Sequence, residues 1–513
     1  MEKSDADRIL FAANVQHRRH ARGLSISQLS ERSGLSKAFL SEIESGIKYP
    51  AVTKFDALAT ALGVERSELL VDANISPFSD VIDSTFLALF QGDSPQEIVN
   101  FITSASSLAD VIMRATYQVA ETHGLDKRNF LFPVLLRAYQ ERNNNYFKGI
   151  EEKAEEFLSE FGPKYNFKDY RVNYHSLRDI LKKEFRLQVK EDNFEGYEKL
   201  KSIRSIYVPR KDTLLINRVL DENQKAFEIG REIGHKYLSL SKERDIITPI
   251  MEIKSFGQIW NEFQASYFSG ALLMPQKQIA EDIKSFFNCE KLNRQLFHDI
   301  MRKYNITEEM ILHRMTQIMY PCFNMKNLHF MRFQHSGNYR LNNVHKPPTE
   351  EPVCSLTKYL NINSMAVLYE DELHERYCRR WGSIKALKNI IEDNLRHERQ
   401  SDGRYFVVQR SKFIASGDLY ICISLSRRSK LDESFSSITI GFPLNSQAKS
   451  VIRFWNDESI EEYDVGYTCE RCQEKNCNER VALPTVHDNI KEKSEIINDI
   501  KRFLTEKYNV MIS

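Results

Sequence analysis

Residues 24–46 read Leu24-Ser25-Ile26-Ser27-Gln28-Leu29-Ser30-Glu31-Arg32-Ser33-Gly34-Leu35-Ser36-Lys37-Ala38-Phe39-Leu40-Ser41-Glu42-Ile43-Glu44-Ser45-Gly46. Ser27 is placed to cap a helix whose apolar face holds Leu29, and Gly34 can take the left-handed turn at its end. Leu35 then plugs the corner, Ser36 caps a second helix, and Phe39, Leu40 and Ile43 pin that helix to a core. Its outward face carries Lys37, Ala38, Ser41 and Glu42. The pattern continues on both sides. Ile9, Leu10 and Ala13 recur at helical spacing upstream, as do Leu58 and Leu62 downstream, with Gly23, Gly46, Pro50 and Gly63 as punctuation. Residues 1–72 therefore read as one compact set of short helices.

Two helices joined by a glycine turn, the second with a small polar outer face, suit insertion into a DNA major groove. Ser36, Lys37, Ala38 and Ser41 are the candidate groove contacts. Gln28, at the start of the preceding helix, is placed to hold a phosphate; Arg22 and Lys48 are further DNA-binding candidates. His17, Arg18, Arg19 and His20 add positive charge nearby, and Glu31, Glu42 and Glu44 nearly offset it. Affinity is therefore expected from a homodimer on paired half-sites rather than from raw electrostatics. Residues 7–70 resemble the Cro/repressor-type (XRE) helix-turn-helix family, including the trailing Gly46, Pro50 and Leu58-Ala59-Leu62.

The whole chain of 513 residues carries 72 Lys and Arg against 71 Asp and Glu. A net charge of +1 excludes a polybasic partner-binding chain, and 42% hydrophobic with 28% charged residues excludes wholesale disorder. No apolar run approaches the roughly 18 residues that span a bilayer. The start, Met1-Glu2-Lys3-Ser4-Asp5, lacks the apolar core of a leader, so a cytoplasmic protein is expected. Eight cysteines in so long a chain are too few for a disulfide framework and point instead to metal or redox chemistry.

A second motif is Phe227-Glu228-Ile229-Gly230-Arg231-Glu232-Ile233-Gly234-His235-Lys236-Tyr237. In an H-E-x-x-H helix two histidines four apart bind zinc and the glutamate activates water. Here Glu232 and His235 are present and Arg231 stands where the first histidine belongs. With Asn261-Glu262-Phe263-Gln264-Ala265 and Ala271-Leu272-Leu273-Met274-Pro275 downstream, residues 165–320 resemble the ImmA/IrrE peptidase family, whose third ligand Glu262 matches. A guanidinium has no lone pair for a metal, so His235 and Glu262 fall short of the usual three protein ligands. Arg231 is expected to pair with Glu232 or Glu262. The cleft reads as a retired peptidase kept as a ligand pocket; a zinc protease that cleaves a repressor is the alternative.

The third signal is Cys469-Glu470-Arg471-Cys472-Gln473-Glu474-Lys475-Asn476-Cys477, a C-x2-C-x4-C loop. Three thiolates on so short a loop can converge on one metal centre. Cys378, in Cys378-Arg379-Arg380-Trp381, is the best fourth ligand and Cys354 the reserve; Cys289, Cys322 and Cys422 read as small core residues. Zinc and iron–sulfur are not separable by this spacing. Arg471, Lys475 and Arg480 could offset the negative centre. In domain order the chain is similar to the short-chain fatty acyl transcriptional regulators, which carry C-x-x-W and then C-x-x-C-x4-C-x-x-R. That resemblance implies an acyl-CoA effector and a [4Fe–4S] cluster on Cys378, Cys469, Cys472 and Cys477; a purely structural zinc on the same cysteines is the alternative.

The expected architecture is multidomain, mainly α with α+β parts. A helix-turn-helix domain spans 1–72, a helical linker or dimerisation region 73–165, and a degenerate zincin-like α+β domain 166–320. A C-terminal α+β cysteine-cluster sensor follows over 321–484, and an amphipathic helix over 485–513. Arg204–Pro209 and Thr213–Asn217 are expected as strands around Arg210-Lys211-Asp212, with further strands at 405–408, 419–423 and 438–442 and a helix at 381–395. The whole reads as a non-enzymatic DNA-binding regulator.

Overall fold

The computed structural model describes residues 5–70, 99, 127–167, 172–240, 256–335, 354–360, 376–396, 405–432 and 434–508. Of the expected helical region 73–165, residues 73–98 and 100–126 lie outside these residues. The described residues fall into two compact units. One comprises those up to Tyr139 with Phe256–Phe263; the other comprises the rest.

In the first unit five helices, α1 (Asp5–Ala21), α2 (Ile26–Ser33), α3 (Lys37–Glu44), α4 (Val52–Leu62) and α5 (Arg66–Leu70), surround one core. Phe11, Val15, Leu29, Leu40, Ile43, Phe55, Leu58 and Leu62 fill it, with Leu35 packed against the corner. Gly34 ends α2 in the left-handed conformation at φ 68°, which a side chain would strain. Ser36 caps α3 by accepting from the Phe39 N–H, as expected. The cap of α2 differs: it is Ser25, not Ser27. Ser25 and Gln28 form a reciprocal capping box, because the S-x-x-Q spacing satisfies two orphan N–H groups at once.

The second unit begins with helix Lys148–Tyr165, which the sequence assigns to the linker. It belongs instead to the following fold. Glu151 accepts from both ends of the Arg314 guanidinium (2.6 and 2.8 Å) and from the Tyr267 hydroxyl (2.7 Å), and Phe157 packs edge-on against Tyr237 and Phe268. A small sheet has the order β1-β3-β2, where β1 is Gln188–Asp192, β2 Ser205–Val208 and β3 Thr213–Asn217. β2 and β3 are the expected antiparallel pair; β1, unforeseen, runs parallel to β3. Helix Glu222–Tyr237 follows, opened by a capping box of Asp221 and Gln224. A Cβ at Gly234 would lie 3.1 Å from the Ala265 backbone, so glycine lets helix Phe256–Leu273 approach closely.

The larger sheet has the order β5-β4-β8-β7-β6-β9. Its strands are β4 His329–His335, β5 Cys354–Leu360, β6 Tyr405–Phe413, β7 Leu419–Arg428, β8 Phe435–Pro443 and β9 Glu462–Val465. One face, with Phe330, Ile421, Ile423, Ile438 and Ile440, shares a continuous core with Phe286, Phe297, Ile311 and Met315 of the preceding helices. The segments on either side of 320/321 therefore share one core. Helix Gly382–Arg396 covers the other face through Ile384, Leu387 and Ile390. Among the described residues no helix is long and apolar enough to cross a membrane.

Candidate functional site

The recognition face is built by the two serine caps. They fix α3 so that Ser36, Lys37, Ala38 and Ser41 are exposed together, with Gln28 exposed on α2. The Gln28 carbonyl oxygen accepts from the Ser25 N–H (2.8 Å), which leaves its amide NH2 to donate outward. The expected basic fringe is thinner than the sequence suggests. Arg19 is buried, forked onto both Glu44 oxygens (2.7 and 2.8 Å) and the Leu24 carbonyl. Lys48 pairs with Glu42 (2.8 Å) and Arg22 donates to the Gly63 carbonyl (3.1 Å), though both stay exposed. Two acids thus neutralise two bases locally.

On helix Glu222–Tyr237, Glu228, Glu232 and His235 are all buried. Arg231 Nη2 donates to Glu228 Oε2 (2.7 Å) and to Ser205 Oγ on β2 (3.0 Å), and Ser205 itself donates to the same carboxylate oxygen (2.7 Å). Glu228 is thus a carboxylate partner of the guanidinium that the sequence did not single out. The i, i+3 spacing puts Glu228 on the same face, and a buried carboxylate needs a cation. Glu262 lies in the first half of helix Phe256–Leu273.

The C-x-x-W segment meets the cysteine loop through backbone pairing. Tyr377 and Thr468 form a β-bridge, the Cys378 N–H donates to the Tyr467 carbonyl (3.1 Å), and the Cys469 N–H donates to the Arg376 carbonyl (2.8 Å). Trp381 Nε1 holds the Gly466 carbonyl (2.9 Å). Burial pushes the Cys378 thiol up to about 11, the nearby Cys469 and Cys472 add to the rise, and the N–H groups of Arg380 and Gly466 oppose it. Cys469 is likewise raised by burial and opposed by the N–H groups of Val481 and Ala482. Four amides aimed at two sulfurs suit thiolates that carry charge in a metal site. At Gly466 a Cβ would lie 3.0 Å from Cys472 Sγ, so this glycine leaves room for the thiol. Cys378, Cys469 and Cys472 are thus gathered. Cys477 sits further along the loop, its carbonyl accepting the Arg480 N–H (3.1 Å). Among the described residues no group of three or more His, Cys, Asp or Glu side chains is drawn to metal-ligand distances.

The Arg480 guanidinium holds the carbonyls of Cys469 (2.7 Å), Cys472 (3.0 Å), Glu474 (2.6 Å) and Ala482 (3.1 Å). The loop is wound around this arginine, a role that its expected charge-balancing did not suggest. Of the other cysteines, Cys422 is buried on β7 as expected, whereas Cys322 is exposed and Cys289 half-buried. Cys422 lies 3.9 Å from His329 Nε2, yet burial pushes the thiol up to about 12 and the imidazole down to about 4. Both stay neutral near pH 7, so this pair is packing and not a nucleophile.

A further site was invisible in the sequence. A groove of about 680 Å³ opens between helix Tyr174–Lys183 and β1, lined by His175, Ser176, Arg178, Lys182, Gln188 and Lys190 together with Asp179. β1, itself unexpected, brings Lys190 into the same lining as Arg178 and Lys182. Asp179, the acid in the lining, is held below the usual carboxylate range chiefly by its bond from Lys183.

Comparison with known proteins gives two family matches, a helix-turn-helix at residues 16–69 and an IrrE N-terminal-like domain of the peptidase M78 type at 183–316. Over 71 residues the chain is 37% identical to the HTH-type transcriptional regulator y4dJ of Sinorhizobium fredii, covering 14% of this chain and 92% of that protein. The chain belongs to the helix-turn-helix transcriptional regulators. Among solved structures, the regulator is similar to a Mycobacterium tuberculosis transcriptional regulator at 16% identity, with 69% of this chain and 94% of that one covered and a TM-score of 0.43. It is also similar to the restriction-modification controller protein C.AhdI from Aeromonas hydrophila at 34% identity, with 12% and 97% covered and a TM-score of 0.12. The helix-turn-helix match spans α2 and α3, so the regulator binds DNA with the head whose exposed face was derived above. The M78 match contains the helix of Arg231 and His235 together with β1–β3.

Proposed function

We propose that the regulator reads operator DNA as a homodimer while its IrrE-like part binds a short-chain acyl-CoA or related metabolite and cuts nothing. The observation that carries this reading is Arg231, which is anchored between Glu228 and Ser205 where a first zinc-binding histidine would stand. A permanent cation there repels a metal ion and supplies no donor pair. Lys37, Ser41 and the rest of the exposed α3 face contact base edges, and Gln28 holds a phosphate at the start of α2.

The groove beside β1 supports a phosphate-bearing effector. Arg178, Lys182, Lys190 and His175 gather around a volume within the range of small-molecule sites, and Ser176 and Gln188 add neutral donors. Effector binding signals only if it favours one arrangement of the paired heads, since differential affinity alone shifts an equilibrium. Cys378, Cys469, Cys472 and Cys477 would hold a [4Fe–4S] cluster, with Arg480 shaping their loop. Such a cluster supplies one-electron redox chemistry and cross-links the C-x-x-W segment to the loop. Anaerobic purification followed by iron, sulfide and zinc analysis and by mass spectrometry of co-purified small molecules tests both parts. Iron with sulfide and a CoA thioester are expected. Stoichiometric zinc without iron would replace the cluster by a structural zinc, and operator affinity unmoved by propionyl-CoA would remove the effector.

A further inference from the structure

The two faces of the larger sheet are built from different chemistry. On one face of the central strands, β7 and β8 pair Leu425 with Ile438, Ile423 with Ile440 and Ile421 with Phe442, all within the apolar core. The other face, beneath helix Gly382–Arg396, pairs Ser426 with Ser437, Ser424 with Thr439 and Cys422 with Gly441. Tyr405, Val407 and Gln409 of β6 flank these three rows on one side, and Phe333, Met331 and His329 of β4 on the other. The helix lies close on this polar stripe. A Cβ at Gly382 would lie 3.1 Å from Ser424 Oγ and 3.6 Å from the Gln409 Cβ, and Ile384, Leu387 and Ile390 share a cluster with Phe333 and Tyr405.

The seat is polar and incompletely satisfied. Ser424 and Thr439 bond each other (2.7 Å), and Gln409 Nε2 donates to the Arg380 carbonyl (2.9 Å) and to Ser411 Oγ (3.0 Å). Gln409 Oε1 and the hydroxyls of Ser383, Ser426 and Ser437 have no hydrogen-bond partner among the described residues, and none of these four residues is more than 1% exposed. A buried polar atom without a partner forfeits the bonds that water would give it. Four such atoms favour a state in which the helix is off the sheet, while Ile384, Leu387 and Ile390 favour the covered one. Opposed terms make this contact easier to open than the apolar packing on the opposite face. The start of the helix is anchored independently of the stripe. Trp381 Nε1 holds the Gly466 carbonyl, Arg380 Nη1 donates to the Asp464 carbonyl (3.3 Å), and Lys385 pairs with Glu461 (3.1 Å) over the Tyr463 ring.

We infer that helix Gly382–Arg396 is a lid that pivots on the C-x-x-W segment and uncovers the serine-lined face of the sheet without unfolding the chain. Opening hydrates the four stranded atoms and leaves the sheet's own ladder and its apolar face intact. Cys378 and Trp381 belong to the pivot, so the arrangement of the cysteine loop bears on how firmly the lid is held down. The inference stands independently of the effector and of any bound metal.

The test is hydrogen exchange read by mass spectrometry on the full chain, across a series of low urea concentrations. A helix lifted from its sheet is solitary and exchanges its amides. Wild-type amides of residues 384–396 should exchange about tenfold or more faster than those of β7 and β8, with a weaker dependence on urea than global unfolding shows. Ser426→Ala/Ser437→Ala removes two stranded hydroxyls from the covered state and should slow exchange of the helix about tenfold; Ser437→Ala alone should slow it about threefold. Ser424→Ala/Thr439→Val removes a pair that already satisfies itself and should give no slowing. A helix that exchanges together with β7 and β8 overturns the inference. Exchange unchanged or faster in both serine variants does so as well, because water would then already satisfy those hydroxyls, and so does equal slowing in the Ser424/Thr439 variant.

Discussion

Replacing Arg231 by methionine removes a charge while keeping most of the volume, and the cost follows from what is left behind. Glu228 is 2% exposed at its side chain and accepts two hydrogen bonds, from Arg231 (2.7 Å) and Ser205 (2.7 Å). Arg231→Met leaves that carboxylate buried with one neutral donor. Stranding one partner of a fully buried pair costs about 3–5 kcal/mol. The Arg231 side chain is 22% exposed, so water already screens part of the interaction and about 2–4 kcal/mol is the better figure. For a body of this size that lowers the melting temperature by roughly 3–5 °C, read by calorimetry on the full chain. Glu228→Gln alone should cost less, and Arg231→Met/Glu228→Gln should regain more than half of the loss, because the amide keeps its bond with Ser205 and needs no cation. A melting temperature within about 1 °C of wild type for Arg231→Met would refute the reasoning, since the guanidinium would then be solvated and free for other work.

Other outcomes follow from the remaining sites. Lys37→Ala should weaken operator binding by about 1–3 kcal/mol and relax specificity if the amine meets a base edge, measured by fluorescence anisotropy at fixed salt. Gly466→Ala should push Cys472 aside and lower the bound metal per chain on elemental analysis, as should Cys472→Ser, while operator binding by the head persists. His329 is held at about 4 in the folded state by burial against an ordinary value near 6.5. The unfolded chain therefore takes up the proton first. The associated stability, at most about 3 kcal/mol, is present above roughly pH 6.5 and drains away as pH falls toward 4. Urea midpoints across that window should flatten in His329→Gln; an unchanged slope would place the acid sensitivity elsewhere.

The helix-turn-helix was legible because its signals are local. Glycine at the turn, serine at the cap and apolar residues three or four apart each act within a few residues, and only the choice between Ser25 and Ser27 failed, where two serines one residue apart competed and Gln28 decided. The R-E-x-x-H helix was legible for the same reason. Arg231's partner was not, because Ser205 comes from a strand 26 residues away. The packing across 165 and 320 was not legible because polar and alternating stretches mark surfaces, whereas the Arg314–Glu151 clamp and the core shared by Ile311 and Ile438 are long-range. The meeting of Cys378 with Cys469 and Cys472 was reachable only through motif spacing, and the basic groove was hidden behind β1.

The central claim is that a cation anchored at Arg231 makes the cleft a recognition site. Anomalous diffraction at the zinc edge on zinc-soaked crystals of the wild type and of Arg231→His addresses it directly. No zinc peak is predicted beside His235 in the wild type, and a new one bound by the introduced imidazole and His235 is predicted in Arg231→His. A zinc peak bound by His235 in the wild type, with a cleaved peptide beside it, would contradict it.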